Sequence, residues 1–304
     1  MTAHNFAGQT LTDMDFAGMD LRRASFVDTT LTRCNLTDAN LAEANMTGAR
    51  IVLSELTRAK LTGAKLSAAR LHATLLNGAN LVQADVTNTI MHTCNLAYAN
   101  LCRSRLGNAR IVACSLEYVN LNDAVCTGAL LHSCSGNNVS ARDAELVNAD
   151  LQHAAMPFAD MARAKFTSAR FTGCTLTHAR LTSVRFADAV LSTTDLGNAD
   201  LRGASFNGAR LACCSLRGAD LTDVNIDQAD LMCTDVADAD PPPALATVAT
   251  PAFTARCNLA TSDVRLFTPG DVANVPRTLD AIPEVIELFR TLRLMHCVDT
   301  LKAP

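Results

Sequence analysis

The chain has 304 residues, of which 49% are hydrophobic but only 4% are aromatic, and it contains no tryptophan. That composition can fill a core, but the scarcity of large rings predicts a narrow interior lined by small and medium aliphatic side chains at many equivalent positions. A formal net charge of −4 is too small to attract nucleic acid or an anionic membrane to the whole chain, so we expect no direct nucleic-acid partner.

The amino-terminal segment, MTAHNFAGQT, lacks the charged and apolar regions of a secretory signal. No apolar run approaches the roughly 18 residues that cross a bilayer, so no membrane span is predicted. These features favour a cytoplasmic location, with signal-less secretion as the alternative. The 12 cysteines include no Cys-X-X-Cys pair, and we expect reduced thiols, no metal and no cofactor.

The segment from 4 to 240 is built on a period of five. Every fifth residue from Phe6 to Val236 is Leu, Phe, Ile, Met or Val, except at Cys126, Gly136 and Ala141. The residue two before each of these centres is usually Ala, and the residue one before is often Asp or Asn. This period fits neither an α-helix nor an alternating strand, so another kind of coil must bury the centres.

The triplets ANL at 39–41 and 79–81 and ADL at 149–151 and 199–201 follow the pattern A(D/N)LXX. The chain therefore resembles the pentapeptide-repeat family. The resemblance implies an all-β solenoid, a right-handed quadrilateral β-helix over 4–240. In such a helix four pentapeptides make one square turn, and the centres and the small residues before them point inward.

A four-sided coil also predicts a second period of twenty residues, and two inward columns of the sequence have it. Half of the cysteines are spaced by multiples of that period, at Cys34, Cys94, Cys114, Cys134, Cys174 and Cys214. One column of centres is shared by Phe6, Phe26, Phe166, Phe186 and Phe206. Ten glycines lie two residues after a centre, where a corner with positive φ would favour them.

The stretch CSGNNVSARDA at 134–144 weakens the pattern, because Gly136 and Ala141 replace two consecutive large centres. The lost side-chain volume predicts a turn that is looser by a few kcal/mol unless neighbouring groups fill the space. A flexible notch and a tolerated irregularity are both open interpretations.

Three prolines at 241–243 end the repeat, because they cannot donate ladder hydrogen bonds. We expect a Pro-rich linker and irregular tail over 241–280 and a C-terminal helix within 281–304, with Asp280 as a possible N-cap. The apolar stripe of that helix consists of Val285, Ile286, Phe289, Leu292 and Met295. The helix would act as a lid over the last coil or as a homodimer contact, since this chain resembles proteins that pair through their carboxy-terminal ends.

One outward column, two residues after the centres of the third side, contains both tyrosines of the chain. Its aromatic members are Tyr98, Tyr118, Phe158 and His178, with Asn138 between the second and the third. Clustered, exposed aromatic side chains favour protein binding. These four residues are therefore candidate partner-binding residues, with incidental packing at the corners as the alternative.

A second outward column, one residue before the centres of the second side, is rich in arginine. It contains Arg50, Arg70, Arg110, Arg170 and Arg210. The sequence from 46 to 185 has 14 Lys and Arg against 8 acids, whereas 1–45 and 186–240 are acidic. These arginines are candidates for an electrostatic docking face, with a solvated face of screened charges as the alternative.

No catalytic constellation is present: the sequence has no phosphate loop, no GxSxG and no HExxH. His72, His92 and His132 share an outward column, but no carboxylate lies in it, so no metal site is predicted. We expect a non-enzymatic protein-binding scaffold or adaptor with a protein partner of unknown identity. The chain also resembles the quinolone-resistance pentapeptide proteins, which implies DNA mimicry and protection of a DNA topoisomerase (gyrase). A secreted bacterial effector is a third possibility implied by the resemblance.

Overall fold

The computed structural model describes residues 4–226, 228–232 and 234–240 throughout, together with the backbone of three strands between 246 and 267. From Asn5 to Asp240 the chain is a parallel β-solenoid in which bridging residues pair with residues 20 positions later. One coil therefore contains 20 residues, as four pentapeptides per turn predict.

One side of the solenoid is an 11-stranded parallel sheet whose strands lie in chain order, β1 to β11. The strands are Thr10–Thr12, Thr30–Thr32, Arg50–Val52, Arg70–His72, Ile90–His92, Arg110–Val112, Leu130–His132, Asp150–Gln152, Arg170–Thr172, Val190–Ser192 and Arg210–Ala212. The other three sides are joined by isolated bridges, in ladders that begin at Asn5, Asp15 and Asp20. Counted from Asn5, the sheet is the second side, and the four-sided solenoid is confirmed.

The interior is filled by the large centres and by the small residues that precede them, nearly all of them buried. Phe6 stacks on Phe26 with ring centroids 4.8 Å apart, and Phe186 stacks on Phe166 and Phe206 at 5.3 Å and 4.8 Å. Full burial of such a side chain stabilises the fold by about 1.5–3 kcal/mol relative to exposure. The predicted column of phenylalanines therefore forms two separate stacks, one near each end of the solenoid.

Each corner places the residue two after a centre in the left-handed region of backbone space. The ten glycines predicted at corners all have positive φ, as at Gly48 (69°) and Gly78 (63°), and most other corners hold a non-glycine residue with positive φ. On the first, third and fourth sides, the N–H three residues after a centre usually donates to the carbonyl of that centre. The bond from Ala24 N to Leu21 O, at 3.0 Å, is typical.

The second side closes its corners differently, and this explains its column of Cys, Ser and Thr. Ser54 Oγ accepts a hydrogen bond from Cys34 N at 3.0 Å, and its hydroxyl can donate to Val52 O at 3.0 Å or to Leu31 O at 3.5 Å, so it lies between the two groups that a turn bond would join. Cys114 Sγ likewise accepts from Cys94 N at 3.3 Å and can donate to Val112 O at 3.3 Å or to Met91 O of the preceding coil at 3.6 Å. The column needs a small side chain with a hydrogen-bond donor, which thiols and hydroxyls both supply.

The weak stretch at 134–144 keeps the register of the coils, with Ser135 bridged to Ser115 and Ala155. A Cβ atom on Gly136 would lie 2.8 Å from both Cβ and O of Leu116. The backbone of this coil thus lies close against Leu116 of the preceding coil. The loosening of this turn stays a prediction.

Beyond the solenoid the structure describes a three-stranded antiparallel sheet of β12 (Ala246–Ala249), β13 (Thr254–Asn258) and β14 (Asp263–Phe267). This sheet lies where the sequence predicts an irregular tail. Each strand contains β-branched or aromatic residues, but strands this short become recognisable only when paired. The proposed helix within 281–304 lies outside the described residues. No described helix is long and apolar enough to span a membrane.

Candidate partner-binding surfaces

The corner between the third and fourth sides carries the first candidate surface, an aromatic edge formed by Tyr98, Tyr118, Phe158 and His178. All four residues have positive φ, between 55° and 61°. This backbone costs an L-residue roughly 1–2 kcal/mol. At the corner it directs each side chain away from the core, and Tyr98, Tyr118 and Phe158 are 65%, 50% and 55% exposed. The predicted outward orientation is confirmed for these three rings.

The rings of the aromatic edge form two stacked pairs. Tyr98 and Tyr118 have centroids 5.0 Å apart and planes within 6° of parallel, and Phe158 and His178 have the same separation and angle. Asn138 occupies the corner between the pairs. Stacking of this kind contributes about 0.5–1.5 kcal/mol per pair, which offsets part of the backbone cost and holds the rings in a defined orientation.

The groups beside the tyrosine pair on the fourth side are amides. On the fourth side the neighbouring column holds Asn100 and Asn120, whose Oδ1 atoms accept hydrogen bonds from Cys102 N (3.1 Å) and Asn122 N (3.0 Å). These amides are therefore fixed by their own backbone. The tyrosine pair therefore lies beside neutral amides, whereas Phe158 and His178 lie beside Asp160 and Arg180, which are 3.5 Å apart.

The arginine column is the second candidate surface. Arg50, Arg70, Arg110, Arg170 and Arg210 begin strands β3, β4, β6, β9 and β11, and all five are exposed. Arg210 lies 4.0 Å from Asp230. Among the described residues, no carboxylate lies within ion-pair distance of the other four. The column is therefore confirmed as an exposed row of arginines that is largely uncompensated.

Most arginines elsewhere on the solenoid are compensated by an acid in the adjacent coil. Arg33 Nε lies 2.7 Å from Asp13 Oδ1, and Arg163 makes two bonds to Asp143, at 2.8 Å and 2.6 Å. The hydrogen bond from Arg163 holds the pKa of Asp143 below its ordinary value. Such pairs require opposite charges one coil apart, a relation that the residues of a single column do not show.

The histidines of the second side form no metal site. His72 and His92 stack with centroids 5.3 Å apart, and His132 Nε2 lies 3.6 Å from Asp150 Oδ2. No group of three or more His, Cys, Asp or Glu side chains that could hold a metal ion occurs in the part of the chain that the structure describes.

The cysteines of the inward column are buried, free thiols. Burial raises the pKa of the Cys126 thiol to about 12 and that of Cys214 to about 11. A thiol with a raised pKa is a poor nucleophile at neutral pH, because the thiolate is the reactive species. Cys214 of the inward column and the centre Cys126 are therefore structural residues. The tail candidates Val285, Ile286, Phe289, Leu292 and Met295 lie outside the described residues.

Comparison with known proteins addresses the family directly. The family model for pentapeptide repeats matches the chain in eight copies, over residues 5–38, 20–54, 54–92, 144–182, 184–223 and 199–235. No curated protein sequence matches the chain significantly.

Several solved structures are similar to this chain. HetL, a pentapeptide repeat protein involved in heterocyst differentiation regulation from the cyanobacterium Nostoc, is 22% identical over 75% of this chain and 89% of its own, with a TM-score of 0.35. QnrB1, a plasmid-mediated fluoroquinolone resistance protein, is 17% identical over 73% of this chain and 91% of its own, with a TM-score of 0.32. At these sequence identities and TM-scores, neither structure gives information on the function of this chain. The family match, however, covers more than half of the chain, and this protein belongs to the pentapeptide-repeat family.

Proposed function

We propose that this protein is a non-enzymatic protein-binding scaffold that docks a partner protein on its aromatic edge. The observation that carries the proposal is the pair of parallel tyrosine rings, Tyr98 and Tyr118, each at least half exposed on a corner of the solenoid. Tyrosine is enriched at binding hot spots, because its ring supplies a large contact area and its hydroxyl supplies a hydrogen bond.

Rigidity supports this function as well. Tyr98 N donates to Glu117 O of the next coil at 2.7 Å, and Tyr118 N donates to Asn137 O at 2.9 Å. Each corner is thus tied to the next by a backbone bond, and the stacked rings restrict each other. A partner would meet a surface that is already ordered, which reduces the entropic cost of association.

The protein supplies its own optical probe for the test. Tyr98 and Tyr118 are the only tyrosines of the chain, which has no tryptophan, so intrinsic fluorescence reports on the aromatic edge alone. Partners would be captured from the native cell with the full-length protein, identified by mass spectrometry, purified and titrated against it. We expect a change in the tyrosine fluorescence of the natural protein on binding. Isothermal titration calorimetry, which does not need the two fluorophores, should show a loss of affinity of about tenfold or more in Tyr98→Ala/Tyr118→Ala.

The matched control is Leu53→Ala, which removes an exposed apolar side chain, 55% accessible, from a corner between the second and third sides. It should retain the affinity of the natural protein. If the double tyrosine variant bound the partner as tightly as the natural protein, the aromatic edge would not be the binding site. If the captured partner is DNA gyrase, a supercoiling assay with a fluoroquinolone separates topoisomerase protection from simple scaffolding.

A further inference from the structure

The second side carries a surface whose chemistry differs from that of the aromatic edge. Strands β3 to β7 present three arginines and three histidines and contain no carboxylate. The part of interest, called the basic strip below, consists of Arg50, Arg70, Arg110, His72 and His92. It lies on four adjacent strands of the sheet.

The register of the sheet fixes the geometry of the basic strip. Arg50 pairs with Arg70, Arg70 with Ile90, and Ile90 with Arg110, so the guanidinium groups form one row along the solenoid axis. Adjacent rungs of a sheet are about 4.8 Å apart, so Arg50 and Arg70 are close like charges. Their mutual repulsion is relieved when an anion binds between them.

A second row runs beside the arginines. His72 and His92 stack at 5.3 Å, and they lie between Val52 and Val112 in the same register. Ile90, which is 36% exposed, separates Arg70 from Arg110. The basic strip therefore combines cations and imidazole donors with aliphatic side chains, and apart from its two imidazoles, which already stack on each other, it has no exposed aromatic ring.

We propose that the basic strip binds a carboxylate-rich segment of a partner protein that runs along the solenoid axis. Arginine suits this role because its planar guanidinium pairs with a carboxylate through two hydrogen bonds. The aliphatic side chains favour a polypeptide over a nucleic acid, and so do the acidic segments that flank the basic middle of the chain. This inference is independent of the aromatic edge, which lies on a corner that does not border the second side.

The test compares two triple variants with the same change in net charge. Arg50→Gln/Arg70→Gln/Arg110→Gln removes the uncompensated arginines, whereas the matched control removes paired arginines elsewhere on the solenoid. The control is Arg33→Gln/Arg58→Gln/Arg163→Gln, whose partners are Asp13, Asp38 and Asp143. All six arginines are exposed at the surface, and circular dichroism would establish that both variants are folded.

The probe is a fluorescein-labelled oligoglutamate peptide, titrated with the full chain and followed by anisotropy at low and at physiological salt. We expect the basic-strip variant to lose about tenfold or more in affinity and the control to lose less than about threefold, with binding weakened by salt. A third variant, Arg50→Lys/Arg70→Lys/Arg110→Lys, keeps the charge and should bind with intermediate affinity.

Three results would overturn the proposal. Equal losses in the two glutamine variants would show that only net charge matters, and unchanged binding in both would place the peptide elsewhere. Tighter binding of a single-stranded oligonucleotide of equal charge would assign the basic strip to nucleic acid instead.

Discussion

At the scale of single residues, the side chains of the inward columns have chemistry that burial controls. Cys126 stands at a centre where every other coil has a larger aliphatic residue or a phenylalanine, and it is 2% exposed. Burial raises the pKa of its thiol to about 12, because the thiolate cannot be solvated inside the solenoid. The same desolvation raises the pKa values of the Cys134 and Cys174 thiols.

This raised pKa predicts a loss of stability in alkali. The folded state holds the proton of Cys126 up to a pH of about 12, whereas an unfolded chain releases it from a pH of about 8.5. The contribution of this thiol to the free energy of unfolding is therefore complete below about pH 8.5 and declines above it. Between pH 8 and pH 10 the loss from this residue should be about 1–2 kcal/mol. In urea denaturation, the stability of Cys126→Val should decline less over this pH range, because valine has no thiol to titrate. Valine already occupies another centre of the same column, at Val86.

The control for this experiment is Cys213→Ser, because Cys213 is exposed. Its stability should decline with pH as steeply as that of the natural protein. An unchanged decline in Cys126→Val would contradict the assignment of the effect to this thiol.

At the scale of the coil, the open corners of the second side depend on a side chain donated by the following coil. Ala154 cannot supply that hydrogen bond. The last described coil has no following coil of the same kind, and there Thr234 N bonds directly to Leu231 O at 3.4 Å. The direct turn bond is thus present at this end of the solenoid, whereas in the described coil that Ala154 faces no such bond joins Cys134 N to Leu131 O.

Ala154→Ser should restore the missing bridge between Leu131 O and Cys134 N. We expect a stabilisation of about 1 kcal/mol, the usual net value of a buried hydrogen bond. Slower hydrogen exchange of the Cys134 amide would locate the gain. Ala199→Ser is the control, since the turn that its side chain would face is already closed by Ala179 N to Leu176 O at 3.1 Å. If the control variant were stabilised to a similar extent, the gain in Ala154→Ser could not be assigned to a side-chain bridge.

Gly136 presents a different coil-scale constraint. A Cβ atom there would meet the Leu116 carbonyl carbon at 2.9 Å as well as its Cβ, and backbone cannot yield as a flexible side chain does. Gly136→Ala should destabilise the protein by about 1–3 kcal/mol in thermal or urea unfolding. In Gly107→Ala the nearest atom would be 3.7 Å away, so that variant should be close to neutral. If the two variants were equally stable, the coils on either side of Gly136 would be able to make room for the added methyl group at little cost.

At the scale of the whole molecule, the solenoid sorts its functional groups by side. Aromatic rings gather on one corner, and uncompensated arginines gather on the sheet. Paired charges, such as Arg202 with Asp200 and Arg142 with Asp160, lie mainly on the fourth side. Exposed pairs of this kind contribute little to stability. The two surfaces proposed for binding are those where exposed groups lack such partners, and one rigid body presents both.

The sequence by itself determined the four-sided coil, its inward columns, its glycine corners and the membership of Tyr98, Tyr118 and Phe158 in one outward column. These follow from periods of five and twenty, because residues one coil apart share a side regardless of packing detail. It could not reveal the side-chain bridges of the second side, since they depend on a corner whose backbone differs from the other three. Only the tertiary structure decided which arginines are compensated and which rings stack, because both depend on side-chain directions between adjacent coils. The paired strands β12 to β14 were likewise beyond the sequence, because each strand is defined by partners that its own few residues do not specify.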